Sequence, residues 1–325
     1  LPLREKVDRP KAETDEGSAT LVGESIIERP MPLRHILLAL AIAVVLGLSF
    51  VAIRWGVDEV APLLLTALRY AFAAFPAILF VKRPAVDWRL LVTYGLLIGV
   101  GQFGLIFLAI KLGMPAGLSA LVVQLQVFFT ILLAYLFFGE KPRPIQIAGA
   151  LTAFAGIFII ALDRLDGAAL LPLLFTIAAA IFWGLGNTTS KKAGRIDMLG
   201  LVVWSSLVPP IPLIAAAIFL DGPGIFAAAL DNLTWRGIGS IAFMAYGATL
   251  FGFTMWARLL SLYPASQVAP FALFIPVAGI ASAALLLGDS ITASEIAGSA
   301  LVFAGLLLNV FGPRLWARIA SAGDN

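Results

Sequence analysis

The chain has 325 residues, of which 61% are hydrophobic and 13% charged, with a formal net charge of +3. Water-soluble proteins carry nearer a quarter charged residues, and so much apolar surface cannot be hidden in water, which leaves an integral membrane protein. The small net charge gives no reason to invoke nucleic acid, and the absence of cysteine excludes disulfides and thiolate metal sites.

Residues 1–33 are polar and mixed in charge, and are expected to form a disordered cytoplasmic tail. They hold no short apolar core followed by a cleavage site, so a cleaved signal peptide is not expected. Ten apolar runs follow, near 35–55, 62–81, 89–110, 115–138, 144–162, 168–190, 198–220, 234–259, 264–287 and 291–312. Each is close to the roughly 20 residues that a membrane-crossing helix needs. The runs are continuous and do not alternate, so helices are expected rather than a β-barrel.

The fourth run has an echo in the ninth. At a constant offset of 149, Pro115 falls on Pro264, Ala116 on Ala265, Ala120 on Ala269, Gly139 on Gly288 and Glu140 on Asp289. The register continues through Gly149 on Gly298 and Gly156 on Gly305. Matches held in register over two segments indicate an internal repeat. The expected fold is all-α and membrane-integral, with ten transmembrane helices formed by two inverted five-helix repeats, at 34–162 and 168–313, and a cytoplasmic tail at 314–325. Inversion follows from the odd count, because the second unit must then enter from the opposite side.

With the N-terminus inside, the inner loops carry Lys82, Arg83, Arg89, Lys141, Arg143, Lys191, Lys192 and Arg195, while Asp58, Glu59, Asp163, Asp166, Asp221, Asp231 and Asp289 fall outside. Basic residues favour the cytoplasmic side, so both termini are expected there. Glu140 then lies inside and its echo Asp289 outside.

A polar side chain in hydrocarbon needs a partner or a wet cavity, so each one is a candidate site. Gln126 and Thr130, four apart, share a helix face; Gln124 points elsewhere, because two positions turn about 200°. One face is expected to line a central cavity and the other to bond a neighbouring helix. Trp183 and Asn187, also four apart, set an indole beside a carboxamide, which suits an amino-acid-sized ligand. Gln124, Gln126, Thr130, Trp183 and Asn187 are therefore the expected substrate contacts. Arg69, Gln102, Tyr246, Pro270 and Pro276 are candidates for cavity or gate. Arg69 is expected to snorkel to the outer interface, with a charge facing the cavity as the alternative. Pro270 and Pro276 are expected to break the ninth helix.

No Asp or Glu lies in the middle of any run, and the single histidine, His35, is at the edge of the first. No proton relay, metal site or hydrolase set is therefore expected within the bilayer. No cofactor is expected either.

Several motifs resemble those of the EamA family of the drug/metabolite transporter superfamily. They are Gly113-Met114-Pro115-Ala116-Gly117-Leu118, Gln124-x-Gln126-x-Phe128-Phe129-Thr130, Gly139-Glu140, Trp183-x-x-Gly186-Asn187-x-x-x-Lys191-Lys192 and Asn309-Val310-Phe311-Gly312. Leu46-Gly47-Leu48-Ser49-Phe50-Val51 is similar to the first-helix motif, but Leu46 stands where the family has Trp and Ser49 where Asn is frequent. The resemblance implies export of small amino acids or related metabolites, of the O-acetylserine and cysteine type, across a bacterial inner membrane by alternating access. If Leu46 and Ser49 line the cavity, the substrate differs. An exporter of aromatic amino acids or drug-like compounds is the alternative within the class, given 23 phenylalanines. A membrane enzyme or a non-transporting scaffold is the alternative outside it. The partners implied are a small-molecule substrate and the lipid bilayer.

Overall fold

The structure is a computed structural model that describes residues 31–162 and 170–323, except 193, 195, 264, 290 and 291. The expected N-terminal tail and the acids Asp163 and Asp166 therefore lie outside the described residues.

Ten helices are long and apolar enough to cross a membrane. They are α1 (Leu33–Glu59), α2 (Pro62–Leu79), α3 (Trp88–Lys111), α4 (Ala116–Phe138), α5 (Pro144–Leu162), α6 (Leu170–Lys192), α7 (Met198–Asp221), α8 (Trp235–Trp256), α9 (Pro270–Leu287) and α10 (Ala293–Gly312). The starts are set by local chemistry. Asp87, Asp197 and Thr234 accept hydrogen bonds from backbone amides of the first turns of α3, α7 and α8. Pro62 and Pro144 open α2 and α5, where a missing amide donor is harmless. The echoed glycines Gly139 and Gly288 end α4 and α9 in the left-handed region, at φ +70° and +68°.

Several spans are composite. α7 breaks into Met198–Ser205 and Pro210–Asp221, ahead of its proline cluster. α9 starts inside a short helix, Ala265–Ala272, taken below as its first piece, and continues after Leu273 as Phe274–Leu287. Pro270 lies inside the first piece, and Pro276 in the first turn of the second. α4 has a matching interruption, a tight 3₁₀ turn at Val123–Leu125 between Ala116–Val122 and Gln126–Phe138. Position 124 is the repeat counterpart of 273. α3 and α8 each contain a π-helical stretch, Leu96–Gly104 and Phe243–Gly252.

Lipid gives helices little hydrophobic reason to associate, so close contact depends on small residues. On α5 and α10, a Cβ at Gly149 would lie 2.7 Å from the Gly305 carbonyl oxygen, and one at Gly156 would lie 2.4 Å from that of Gly298. Each glycine thus meets the repeat counterpart of the other. Gly47 of α1 sits against Ala278 and Gly279 of α9, while Gly184 of α6 sits against Phe129 and Thr130 of α4. Phe129 and Thr130 are the repeat counterparts of Ala278 and Gly279, at the offset of 149.

Candidate functional site

The polar groups singled out on α4 and α6 meet. Asn187 Nδ2 donates to Gln126 Oε1 at 2.8 Å and to Thr130 Oγ1 at 3.1 Å. The Thr130 hydroxyl donates in turn to the Gln126 carbonyl at 2.6 Å. The three side chains form a bridge between α4 and α6, beside the close approach of Gly184. Each is only partly buried. Gln126 Nε2 and Asn187 Oδ1 make no hydrogen bond to another described residue, so one donor and one acceptor stay available.

Gln124 points the other way, as its spacing requires. Its Nε2 reaches the Ala272 carbonyl of α9 at 3.5 Å. Pro276 has no N–H for the carbonyl four residues before it, which is that of Ala272. The glutamine of α4 therefore serves an acceptor that the proline of α9 leaves open. Gln124 Oε1 is buried without a partner.

Trp183 lines a narrow cleft between α2, α3, α6, α7 and α8. Gln102 lines it too, 2% exposed, with its Oε1 unpartnered. The cleft also contains Tyr70, Tyr94, Ser205, Ser206 and Thr249, none of which the sequence reading had selected. Tyr70 had a signal, since it follows Arg69; Thr249 had none beyond lying in an apolar run. Tyr246 is 43% exposed and does not line the cleft.

Arg69 corrects an expectation. It does not snorkel: it is 1% exposed and among the largest fully buried side chains. Its Cα lies seven residues into α2, about 10 Å below the helix start at roughly 1.5 Å per residue. α3 and α8 enclose it at that depth. Its guanidinium carbon stands 3.8 Å over the Phe103 ring, and Nε donates to Thr249 Oγ1 at 3.0 Å. Nη1 has no partner, and no carboxylate pairs with Arg69 among the described residues. A desolvated cation–π contact supplies about 2 kcal/mol. Removing an ion from water costs several kcal/mol even after relaxation, so the charge is under-compensated.

The EamA-like transporter family model matches residues 33–162 and again 170–311. The chain belongs to that family. It is 42% identical over 293 residues to a "Probable amino-acid metabolite efflux pump" of Escherichia coli, covering 88% of this chain and 98% of that one. The protein of the same description from Salmonella typhimurium is 43% identical over 284 residues, covering 86% and 95%. A "Probable terminal-alkyne amino-acid exporter" of Streptantibioticus cattleyicolor is 26% identical over 295 residues, covering 86% and 94%. A crystal structure aligns with a TM-score of 0.57 at 20% identity, over 85% of this chain and 95% of its own, a likeness of fold. The EamA chain is a multi-pass membrane transporter.

Proposed function

We propose that this transporter exports small amino-acid-type metabolites from the cytoplasm by alternating access. The observation that carries the reading is the likeness, over nearly the whole of both chains, to two proteins named as amino-acid metabolite efflux pumps. The internal contacts support the mechanism. When each glycine of a crossing meets the counterpart of its partner, as Gly149 with Gly305 and Gly156 with Gly298, a two-fold relation between the halves is the simplest source. In a membrane that relation makes the repeats inverted. The distribution of basic residues favours a cytoplasmic position for the Glu140 and Lys191 end and for both termini, with the Pro115 and Asp289 end outside.

Gln126, Thr130 and Asn187 would then hold polar groups of the substrate from the α4–α6 bridge, and Trp183 and Gln102 would hold it from the cleft. The aromatic lining of Tyr70, Tyr94 and Trp183 favours a second reading, in which larger aromatic amino acids are carried. Purified protein in liposomes, given labelled cysteine, O-acetylserine, threonine, phenylalanine and tryptophan, separates the two. Flux of the small set supports the first reading, and flux confined to the aromatic pair supports the second. No flux of any of them refutes both. With no acid in the middle of a span, flux should be equal with and without a pH gradient. Alanine at both Gln126 and Asn187 should lower flux about tenfold, the scale of a lost polar contact. Unchanged flux from a folded double variant would remove the bridge from the site.

A further inference from the structure

We infer that Arg69 is the anchor for a ligand carboxylate, and that the cleft beside it is a binding site for zwitterionic α-amino acids. The inference rests on the exporter reading for its context but not for its test. All 19 acidic residues lie in the tails or in loops and span ends, so the protein has no carboxylate to place in mid-membrane. Arg69 is nonetheless held there rigidly, its plane on Phe103 and its Nε on Thr249. Thr249 and Tyr70, the neighbour of Arg69 in sequence, both belong to the wall of the cleft. Arg69 is not itself a lining residue: it is tied to the wall through Thr249, and its Nη1 is buried without a partner, so a ligand carboxylate would reach it by displacing part of that wall.

Across the cleft wall, Gln102 presents an Oε1 that accepts nothing. One uncompensated cation and one free acceptor are what a zwitterion satisfies: its carboxylate takes the guanidinium and its ammonium the carboxamide. A neutral or purely cationic ligand leaves Arg69 without a counter-ion. An arginine kept for structure alone would be expected to have a protein acid or a full set of carbonyl acceptors, and Arg69 has neither among the described residues.

The test uses the full-length purified protein and the tryptophan fluorescence that Trp183 brings to the cleft. Wild type is titrated with the amino acids named above and with cysteamine, which is cysteine without its carboxylate. The expected result is that wild type binds at least one of the amino acids and binds cysteamine about tenfold more weakly or worse. In R69M, amino-acid binding falls about tenfold or more while cysteamine binding is unchanged. The melting temperature of R69M is no lower than that of wild type, because an uncompensated buried charge has been removed. R69K, which keeps the charge, retains part of the binding.

The inference is overturned if wild type binds cysteamine as well as cysteine, if it binds none of the amino acids, or if R69M binds them normally. It is equally overturned if R69M melts well below wild type, the mark of a structural arginine. Liposome flux keeps the two readings apart. Unchanged amino-acid flux in R69M sinks the anchor and leaves the exporter, whereas carboxylate binding without any flux sinks the exporter and leaves the anchor.

Discussion

The two ends of the bundle are built from equivalent parts and are packed differently. At the Pro115 end, all seven residues of Ala116–Val122 are buried against the second piece of α9. A Cβ at Gly117 would lie 2.9 Å from Ile280 Cα, and one at Gly279 would lie 2.5 Å from Ala120 Cβ. At the other end, the counterparts are Gln126–Phe138 and Ala265–Ala272. In Gln126–Phe138 only Phe128 and Ala134 are buried, and among the described residues the two pieces have no comparable packing. The charged markers differ as well. Asp289 faces the Ala116 amide at the start of α4, whereas its echo Glu140 turns to Lys191 of α6, 2.5 Å away. Counterpart pieces that share their Pro, Ala and Gly punctuation are thus found in two arrangements. A carrier that alternates between equivalent states needs that property.

Cross-linking tests this comparison most severely. The chain has no cysteine, so introduced pairs are unambiguous. A Cβ at Gly117 would lie 3.3 Å from that of Ala283, near the roughly 3.8 Å that a disulfide adopts. G117C with A283C should oxidise readily and stop flux almost completely, with recovery on reduction. The repeat counterparts are Ser266 and Ala134. S266C with A134C should cross-link only when the opposite arrangement is populated, as during turnover with substrate. If both pairs form equally fast in the resting protein, the two ends are not in different states.

The breaks near mid-span give a smaller and sharper test. Pro276 opens the Ala272 carbonyl and Gln124 reaches it, so the two residues are coupled across α4 and α9. P276A restores the missing donor, and Q124A should then cost less than it does in wild type. The coupling should be about 0.6 kcal/mol, the scale of interhelical hydrogen bonds in lipid. Strictly additive changes in melting temperature would show that the glutamine does not serve that carbonyl.

The spans, their order and the repeat were legible because each depends on continuous apolar length and on punctuation by Pro and Gly. The break in α9 was legible from its prolines. The break at Val123–Leu125 has no proline, and only its position opposite Leu273 in the repeat points to it. Helical spacing placed Gln126 with Thr130 and Trp183 with Asn187, one turn apart in each case. That Asn187 bonds Gln126 and Thr130 while Trp183 turns to the cleft depends on the close approach at Gly184, which no one-dimensional pattern displays. Arg69 was misjudged for the same reason. Its depth was readable, but whether a neighbouring helix closed its route to the interface was not. The residues lining the cleft come from five separate helices, α2, α3, α6, α7 and α8, so their meeting is a property of packing alone.

The smallest effect separates Asp289 from Glu140. Asp289 follows the end of α9, outside the spans, with one carboxylate oxygen buried and unpartnered. Burial lifts its carboxyl above the ordinary range, Arg54 and the Ala116 amide oppose the rise, and Glu295 adds to it. The folded state therefore keeps a proton over a window, just above the usual carboxylate value, in which the unfolded chain has lost it. Where the folded state binds more protons, stability falls as pH rises. The melting temperature of wild type should decline as pH rises through that window, and D289N should decline less, because the side chain that loses its proton is gone. Equal slopes would mean that the carboxyl is solvated and that the Pro115 end is looser than its packing indicates. Glu140 has no such enclosure: its pair with Lys191 leaves the two side chains 53% and 48% exposed. E140Q should therefore cost only what an exposed pair contributes, below about 1 kcal/mol. A larger loss would place Glu140 in a closed interface at the Lys191 end, as Asp289 is at the other, and would mean that the arrangement with that end packed is the one more populated in solution.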